Sequence, residues 1–580
     1  MAFRKEVTLS LQTFLFLAVF AIGLGAFYRL PGLERRPMHA DEAILAVKLG
    51  EFWDTGHFAY DPHDYHGPAL HQVSWLWGHL ARWDGPHTWT EAQVRMVAAV
   101  GGLALLLITL LFTDALGRIG TAWAMIFMAA SPMMVFYSRY FIMEILLVAL
   151  VALSLASFWR YSQSGARGWL LLGGGALGFQ HATKETFVLN VGAALCGWIA
   201  ARVLAGEFVP RRSNGFSFGN PTIRGRTERP WLWVLVPAVL VSILAFSEGF
   251  RDWQAVKDSV LTYGNYVERS GGSGHEKPMS YYLMLIFGHR DKVIWSEGMI
   301  GGLGLIGMLY AFLGDHKNGP RHAFLVFLSV YTLALFTVYS ILSYKTPWSI
   351  LSAQYALTLL AGVGGGAIWN WLSNRMARFV VTLLFLAGVW NLCDQTSTIT
   401  GSHPKPSFEL SADPSNPYAY SHTLPKVLKL VAEVKRIAAE RGDAFSAQVV
   451  SVDQGWPLPW YWRNLPQIGY QAHLPRIINA PVVLLDAEFV EAAKIKMAGQ
   501  GYDQGTGYGL RPGVMLVMFV KQPPAPPLAP AISLPPTPLP IPAESATGMP
   551  QTMSAPPPAF SPTLPAFPGT GTTVLPAVRP

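Results

Sequence analysis

Charge is what this sequence has least of. Only 13% of its 580 residues are Asp, Glu, Lys or Arg, about half the roughly 25% of a soluble domain, while 51% are hydrophobic. That excludes an ordinary water-soluble enzyme and implies a chain spending most of its length in lipid. Cysteine is nearly absent. Cys196 and Cys393 both lie in apolar runs, where a thiol packs as a small hydrophobe, so no disulfide framework or cysteine-ligated metal is available. A cleavable leader is missing too: Arg4 and Lys5 precede an apolar run with no small-residue cleavage site behind it, which reads as an uncleaved first span. The net charge of +8 is not clustered with stacking aromatics on a polar face, so nucleic acid is not an expected partner. Neither internal repeats nor ionisable groups at the middle of several spans, the marks of a secondary transporter, are found.

What is present in quantity is span-length apolar sequence. Stretches at 10–30, 94–113, 119–137, 141–159, 168–183, 186–204, 231–248, 293–313, 322–343, 349–372 and 379–396 each approach the ~20 residues needed to cross hydrocarbon, about eleven spans in all. Within 168–204, Gly173-Gly174-Gly175 and Gln180-His181-Ala182-Thr183-Lys184-Glu185 leave open a turn or a broken helix. With the amino terminus in the cytoplasm, Arg4, Lys5, Arg118, Arg160, Arg167, the arginines from Arg202 to Arg229, Lys317, Arg321, Arg375 and Arg378 all fall in inner loops, as the positive-inside rule requires. The outer side then holds loop 31–93, tight turns at 138–140, 184–185 and 344–348, loop 249–292, and everything after about 397. The expected protein is a multi-pass α-helical protein of the cell inner (plasma) membrane whose unusual polar residues all face the extracytoplasmic side.

Beyond 397 the composition becomes ordinary. A helix is expected from Lys426 to Arg441, strands at 447–452 and 481–485, a helix from Ala487 to Met497 and a strand at 514–520, together a small α/β domain of ~120 residues. From 522 onward Pro, Ala, Ser and Thr dominate, the composition of a disordered tail that cannot bury enough apolar surface to fold. The expected layout is therefore a transmembrane domain over 1–397, the outer domain over 398–521 and the tail over 522–580.

Loop 31–93 carries Met38-His39-Ala40-Asp41-Glu42 and Asp61-Pro62-His63-Asp64-Tyr65-His66-Gly67-Pro68, and idle charge at a bilayer surface is expensive. Asp41 at the interface has the placement of a general base, since partial desolvation raises a carboxylate towards useful basicity. Glu42 stands ready to orient a substrate or tune its neighbour. The pair equally suits the first turn of a helix, where acids are favoured. Arg95, Arg139, Lys184 and Lys345 run against the topological bias by lying on the outer side. Such cations bind phosphate through charge-assisted hydrogen bonds, or snorkel to lipid headgroups. A salt bridge Lys184–Glu185 is a competing account of Lys184, and Glu144 is expected to pair with Arg139 or Arg95. His39, His63, His66 and His71 match no closed zinc spacing, so no metal site is assigned, although a divalent ion held with Asp41 or Glu42 stays open. Loop 249–292, with Tyr263, Tyr266, Arg269, Gly271-Gly272 and His275, is a lid or a plain surface loop. The dense run Trp456-Pro457-Leu458-Pro459-Trp460-Tyr461-Trp462 suits glycan stacking or packing.

With those residues in place, the chain resembles the GT-C superfamily of multi-span glycosyltransferases, which contains dolichyl-phosphate-mannose protein mannosyltransferases and lipid A aminoarabinose transferases. Asp41-Glu42 resembles the acidic pair after the first span, and Tyr65-His66-Gly67-Pro68-Ala69-Leu70 the His-Pro-Pro-Leu region of the same loop. Leu172-Gly173 through Thr183-Lys184 is similar to the Gly-rich span ending in Leu-Thr-Lys, and Ser343-Tyr344-Lys345-Thr346-Pro347 to the Lys-Leu-Pro turn of the aminoarabinose branch. More narrowly, the acidic pair and His66-Gly67-Pro68 look like the flippase-associated family related to archaeal N-glycosylation genes, over roughly residues 10–400. His-Gly-Pro departs from the usual His-Pro-Pro.

The resemblance implies sugar transfer from a polyprenyl-phosphate donor to a protein, lipid or glycan acceptor, of inverting type and without a cofactor. Asp41 would accept the acceptor's proton, Arg95, Arg139, Lys184 and Lys345 would hold the lipid phosphate, and Glu42, Tyr65, His66, Gly67 and Pro68 would shape the sugar pocket. The outer domain would help to hold the acceptor. The competing class is an accessory of a flippase or glycan ligase that binds the lipid-linked glycan without transferring it.

Overall fold

A computed structural model describes residues 8–63, 66–205, 229–269, 276–290, 294–314, 320–401, 412–413, 415–465 and 467–522. Contacts gather the described residues into one compact unit that ends at Gln522. The tail expected to be disordered lies outside the described residues, as do parts of loop 249–292, including Gly271, Gly272 and His275.

All eleven apolar stretches are helical in the main, and the protein is a helical polytopic membrane protein. Among the described residues, seven helices are long and apolar enough to cross a membrane: Leu11–Arg29, Glu91–Ala130, Glu144–Ser164, Phe187–Leu204, Arg321–Ile341, Pro347–Trp371 and Arg375–Thr400. Leu232–Phe246 and Gly298–Leu313 are shorter apolar helices, and Arg167–His181 is a further one of 15 residues. The 40-residue stretch Glu91–Ala130 carries two passes. Gly117, at φ +74°, interrupts its helical backbone, a left-handed conformation that glycine adopts without steric cost. The contacts at its ends show the reversal: Arg118 donates to the Leu9 carbonyl, whereas Arg95 and Arg139 both reach the backbone at 31–36.

Between 168 and 204 the chain forms an unbroken helix Arg167–His181, a short turn, and the helix Phe187–Leu204. The glycines there serve packing. A Cβ on Gly174 or Gly178 would lie 2.3 or 2.1 Å from the carbonyl oxygens of Val234 and Ala238, so helix Leu232–Phe246 approaches backbone to backbone. The same device seats Pro347–Trp371, in which every residue from Leu351 to Gly366 is buried. Added Cβ atoms on Gly364, Gly307 and Gly362 would meet the carbonyls of Leu303, Leu360 and Gly120 at 2.0, 2.1 and 2.1 Å. Lipid tails are as apolar as leucine, so helices in a bilayer are held by close van der Waals contact, which small residues allow.

The α/β segment follows a buried stretch that includes Tyr418 and His422. Helix Val427–Arg441 buries Val427, Leu430, Val431, Val434, Ile437 and Ala438, the apolar positions spaced for one helical face. The five-stranded sheet runs in the order Ile468–Gln471, Ala447–Val450, Val482–Asp486, Val514–Val520, Thr506–Arg511. Its first three strands are parallel and the last two antiparallel. The central strand Val482–Asp486 is buried throughout. Helix Val490–Met497, preceded by a 3₁₀ turn, replaces the expected helix from Ala487. Strands Ile468–Gln471 and Thr506–Arg511 were not expected; both are largely half-exposed and carry glycines, which blurs the alternation that marks a strand.

Gly364→Leu is expected to lower the unfolding temperature of the purified protein in detergent, because overpacking at backbone contact costs about 1–3 kcal/mol. Gly23→Leu, where an added Cβ meets nothing within 4 Å, is expected to leave it unchanged.

Candidate active site

The acidic pair is divided by the helix it starts. Helix Ala40–Thr55 has His39 as its N-cap, and successive side chains on a helix diverge by about 100°, so Asp41 and Glu42 face different surroundings. Glu42 turns inward and is fully buried. Its carboxylate receives Arg95 Nε at 2.7 Å and Nη2 at 2.6 Å, Arg36 Nη2 at 3.4 Å, the Phe141 N–H at 2.8 Å and the His39 N–H at 3.0 Å. Burial alone would raise this carboxyl; the charges of Arg95 and Arg36 and the hydrogen bonds outweigh it and hold the group at about 2. Asp41 turns outward, its side chain 49% exposed. Its backbone N–H donates to His39 Nδ1 at 3.0 Å, and its carboxylate lies 3.7 Å from the same nitrogen. The other ring nitrogen of His39 is 3.0 Å from the Tyr420 carbonyl, so the proton of the neutral ring belongs on Nε2.

The outer cations divide in the same way. Arg95 spends its remaining donors on the carbonyls of Leu33, Arg36 and Pro37. Arg139 donates to the carbonyls of Tyr28, Arg29, Pro31 and Gly32, closing the carboxyl end of the first helix. Both guanidiniums, expected to face a lipid phosphate, are turned to backbone carbonyls, and that of Arg95 also to Glu42. Lys184 pairs with Glu144 rather than Glu185, which also corrects the pairing expected of Glu144 with an arginine. Glu185 instead meets His66 Nδ1 at 2.7 Å. Lys345 donates to the carbonyls of Leu342 and Lys277, two uses of an ammonium with three donors.

His66-Gly67-Pro68 docks on the turn that carries Lys184. The Ala69 N–H donates to the Ala182 carbonyl at 2.9 Å, and a Cβ on Gly67 would lie 2.2 Å from that oxygen. Glycine is therefore required for the approach. Pro68 caps helix Ala69–Leu80; Tyr65 lies outside the described residues. The histidines disperse: His39 faces Tyr420, His66 faces Glu185, and His71 donates from Nε2 to the Leu45 carbonyl, its imidazole pushed down to about 3 by burial. Among the described residues, no group of three or more His, Cys, Asp or Glu side chains gathers that would hold a metal ion.

Asp41, Lys184 and Lys345 are linked through a common aromatic wall. The His39 ring lies 5.3 Å from Tyr140, 6.3 Å from Trp348 and 4.9 Å from His422. Trp348 in turn lines a cleft with Glu144, Lys184, Thr186, Tyr339 and Ser352. Lys277, whose carbonyl receives Lys345, holds its ammonium 5.8 Å from the Tyr420 ring. Arg36, Tyr420, His422, Trp348 and Lys277 were missed in the sequence. Trp348 and Lys277 stand in ordinary loop composition, and Tyr420 and His422 follow the last span, where no pattern marks them.

The α/β segment seats directly on this loop. Tyr461 Oη receives the Met38 N–H at 2.8 Å and Thr423 Oγ1 donates to the Met38 carbonyl at 2.7 Å. Trp460 Nε1 donates to Glu91, and Arg463 to the carbonyls of Pro86 and Trp89. Trp460 and Trp462 are buried, so these two members of the aromatic run serve packing, not stacking on a glycan.

Replacing Glu42 by Gln is expected to cost about 3–5 kcal/mol, the penalty for leaving a buried partner charge uncompensated. Because the folded-state value lies below the ordinary one, this stability is complete above about pH 4.5 and is lost as pH falls towards about 2. Thermal unfolding in detergent at pH 7 and pH 3 checks both: the gap between wild type and Glu42→Gln narrows at the lower pH.

The profile of dolichyl-phosphate-mannose-protein mannosyltransferases matches residues 69–205. No curated protein sequence matches. Among solved structures, ArnT from Cupriavidus metallidurans in the apo state is similar at a TM-score of 0.56 and 13% identity, over 87% of this chain and 98% of that one. The same protein bound to undecaprenyl phosphate gives 0.54 and 14%, over 88% and 98%. The oligosaccharyltransferase AglB from Archaeoglobus fulgidus, in complex with an inhibitory peptide and a dolichol-phosphate, gives 0.51 and 12%, over 83% and 70%. The chain shares the fold of these proteins along most of its length.

Proposed function

We propose that the chain transfers a sugar from a polyprenyl-phosphate donor to an acceptor hydroxyl on the extracytoplasmic face, with Asp41 as general base. The observation that carries this reading is the division of the acidic pair: Glu42 is consumed by Arg95, and Asp41 is left presented beside the aromatic wall that leads to Lys184 and Lys345. The fold shared with a protein solved with undecaprenyl phosphate supports the donor class. The acceptor oxygen attacks the anomeric carbon as its proton passes to the Asp41 carboxylate. The bond from that carbon to the phosphate oxygen breaks, its electron pair leaves with the polyprenyl phosphate, and configuration inverts. Lys184 and Lys345 offset the charge gathering on the departing phosphate. His66, Gly67 and Pro68 hold the turn bearing Lys184 in place. Residues 398–521 act as the acceptor-side domain, with 522–580 as an appended tail.

The test uses membranes from a strain lacking the gene, with glycans on lipid and protein read by mass spectrometry. Restoring the wild-type gene is expected to return a missing sugar. Asp41→Asn is expected to reduce transfer about 10²–10⁴-fold, the usual contribution of a positioned base, with Asp41→Glu retaining part of it. Full transfer by Asp41→Asn alongside loss in Lys184→Ala would mark a carrier-binding protein that does no base chemistry.

A further inference from the structure

The α/β segment carries a partly exposed ion pair. Arg511 ends strand Thr506–Arg511 and pairs with Asp453, which stands in the loop after Ala447–Val450. The Arg511 side chain is 20% exposed and that of Asp453 39%. Asp453 accepts the Ser451 hydroxyl at 3.0 Å, and the turn continues through Gln454 and Gly455, both at positive φ, +58° and +69°. A non-glycine residue held there is strained and persists only where its surroundings fix it, as functional sites often do. Arg511 sits at a register shift between Gly509 and Arg511, an irregularity of the kind that re-aims a side chain.

This edge is tied to the segment that carries Asp41. Leu510 accepts the Leu424 N–H at 2.9 Å, and the adjoining Thr423 donates to the Met38 carbonyl at 2.7 Å. Burial lowers the affinity of the Arg511 guanidinium for its proton, and the opposing influence on it is the Asp41 carboxylate. Trp456, three residues beyond Asp453, is half-buried, unlike Trp460 and Trp462, and packs against the core that contains Met38. Two hydrogen bonds thus tie the strand end that carries Arg511 to the segment that carries Asp41, with the Asp453 carboxylate paired to that guanidinium and a partly open indole three residues further along. A carboxylate and a guanidinium together satisfy adjacent hydroxyls that both donate and accept, and an aromatic face takes the C–H face of a sugar ring. An isolated Ser or Thr hydroxyl on a peptide would use only a fraction of these groups.

Resting on the assignment of Asp41 as base, we propose that Asp453, Arg511 and Trp456 form the acceptor subsite of the same centre and that the acceptor is a carbohydrate. The subsite binds the ring next to the attacked hydroxyl, so it sets acceptor affinity and not the chemistry at the anomeric carbon.

The purified full chain in nanodiscs, probed by saturation-transfer NMR with methyl α-D-mannopyranoside, methyl β-D-galactopyranoside and methyl α-L-arabinofuranoside, tests this. At least one glycoside is expected to bind, and Asp453→Asn, Arg511→Gln and Trp456→Ala are each expected to weaken it about tenfold or more, the loss of a charged hydrogen bond or a stacking face. The charge-swapped double variant Asp453→Arg/Arg511→Asp keeps an ion pair and is expected to stay weak. Restoration of binding by that swap would mean the pair is merely structural and would overturn the proposal. So would binding of no glycoside, binding unaffected by the single variants, or displacement of the glycoside by a Ser/Thr peptide. Transfer retained by Asp41→Asn with glycoside binding still lost in Asp453→Asn would sink the base assignment alone and leave this subsite standing.

Discussion

The pairing of Glu42 with Arg95 is the constraint on which the rest of the site depends. Two full charges are held out of water, and such a pair is tolerated only when every remaining donor and acceptor is placed. Here that condition is met: the donors of Arg95 go to both oxygens of Glu42 and to the carbonyls of Leu33, Arg36 and Pro37. The carboxylate also gathers the N–H groups of His39 and Phe141. One buried acid thereby fixes the loop before helix Ala40–Thr55, the start of that helix and the turn after Ser138. The orientation of Asp41 is a by-product of that closure, since its backbone is pinned while its side chain turns outward beside the His39 ring.

A second layer of arginines performs the same service for helix ends. Arg29, fully buried, donates to the carbonyls of Met128 and Ala129 and to Ser138. Arg139 donates in return to the carbonyls at the end of Leu11–Arg29. The last carbonyls of a helix lack intrahelical partners and carry the negative end of its dipole, so a cation placed there is stabilising. In apolar surroundings such unpaired carbonyls are costlier than in water. Two neighbouring helices exchange caps, and the ends that frame loop 31–37 cannot splay apart.

This exchange explains what was legible in the sequence and what was not. The spans were readable because bilayer thickness sets the length of an apolar run, and helix Val427–Arg441 because its apolar spacing repeats at one face. The position of Arg95 and Arg139 at the polar end of the bundle was readable too. Their partners were not, since depth along the membrane normal says nothing about whether a cation meets a ligand or a carbonyl. Lys184 illustrates the limit: its sequence neighbour Glu185 was the obvious partner, but the turn aims the two side chains apart, one to Glu144 and the other to His66. Tyr420 and His422 were invisible for a different reason, because the stretch that carries them is buried by the docking of the α/β segment and has no periodicity of its own.

The order of the acidic pair follows from the same geometry. With His39 as N-cap, Glu42 occupies the third helical position, from which a side chain can return to the N-cap N–H and close a capping box. Its two methylenes also carry the carboxylate across to Arg95, so one group serves both ends. A residue at the second position points elsewhere around the helix, and aspartate there has too short a side chain to reach a partner across the bundle. Reversing the pair would put the short acid where the box needs a long one and a long acid where exposure is wanted, leaving Arg95 buried without its counter-charge. A buried glutamate preceded by an exposed aspartate is thus one physical unit, in which the anchoring of the first is what holds the second exposed.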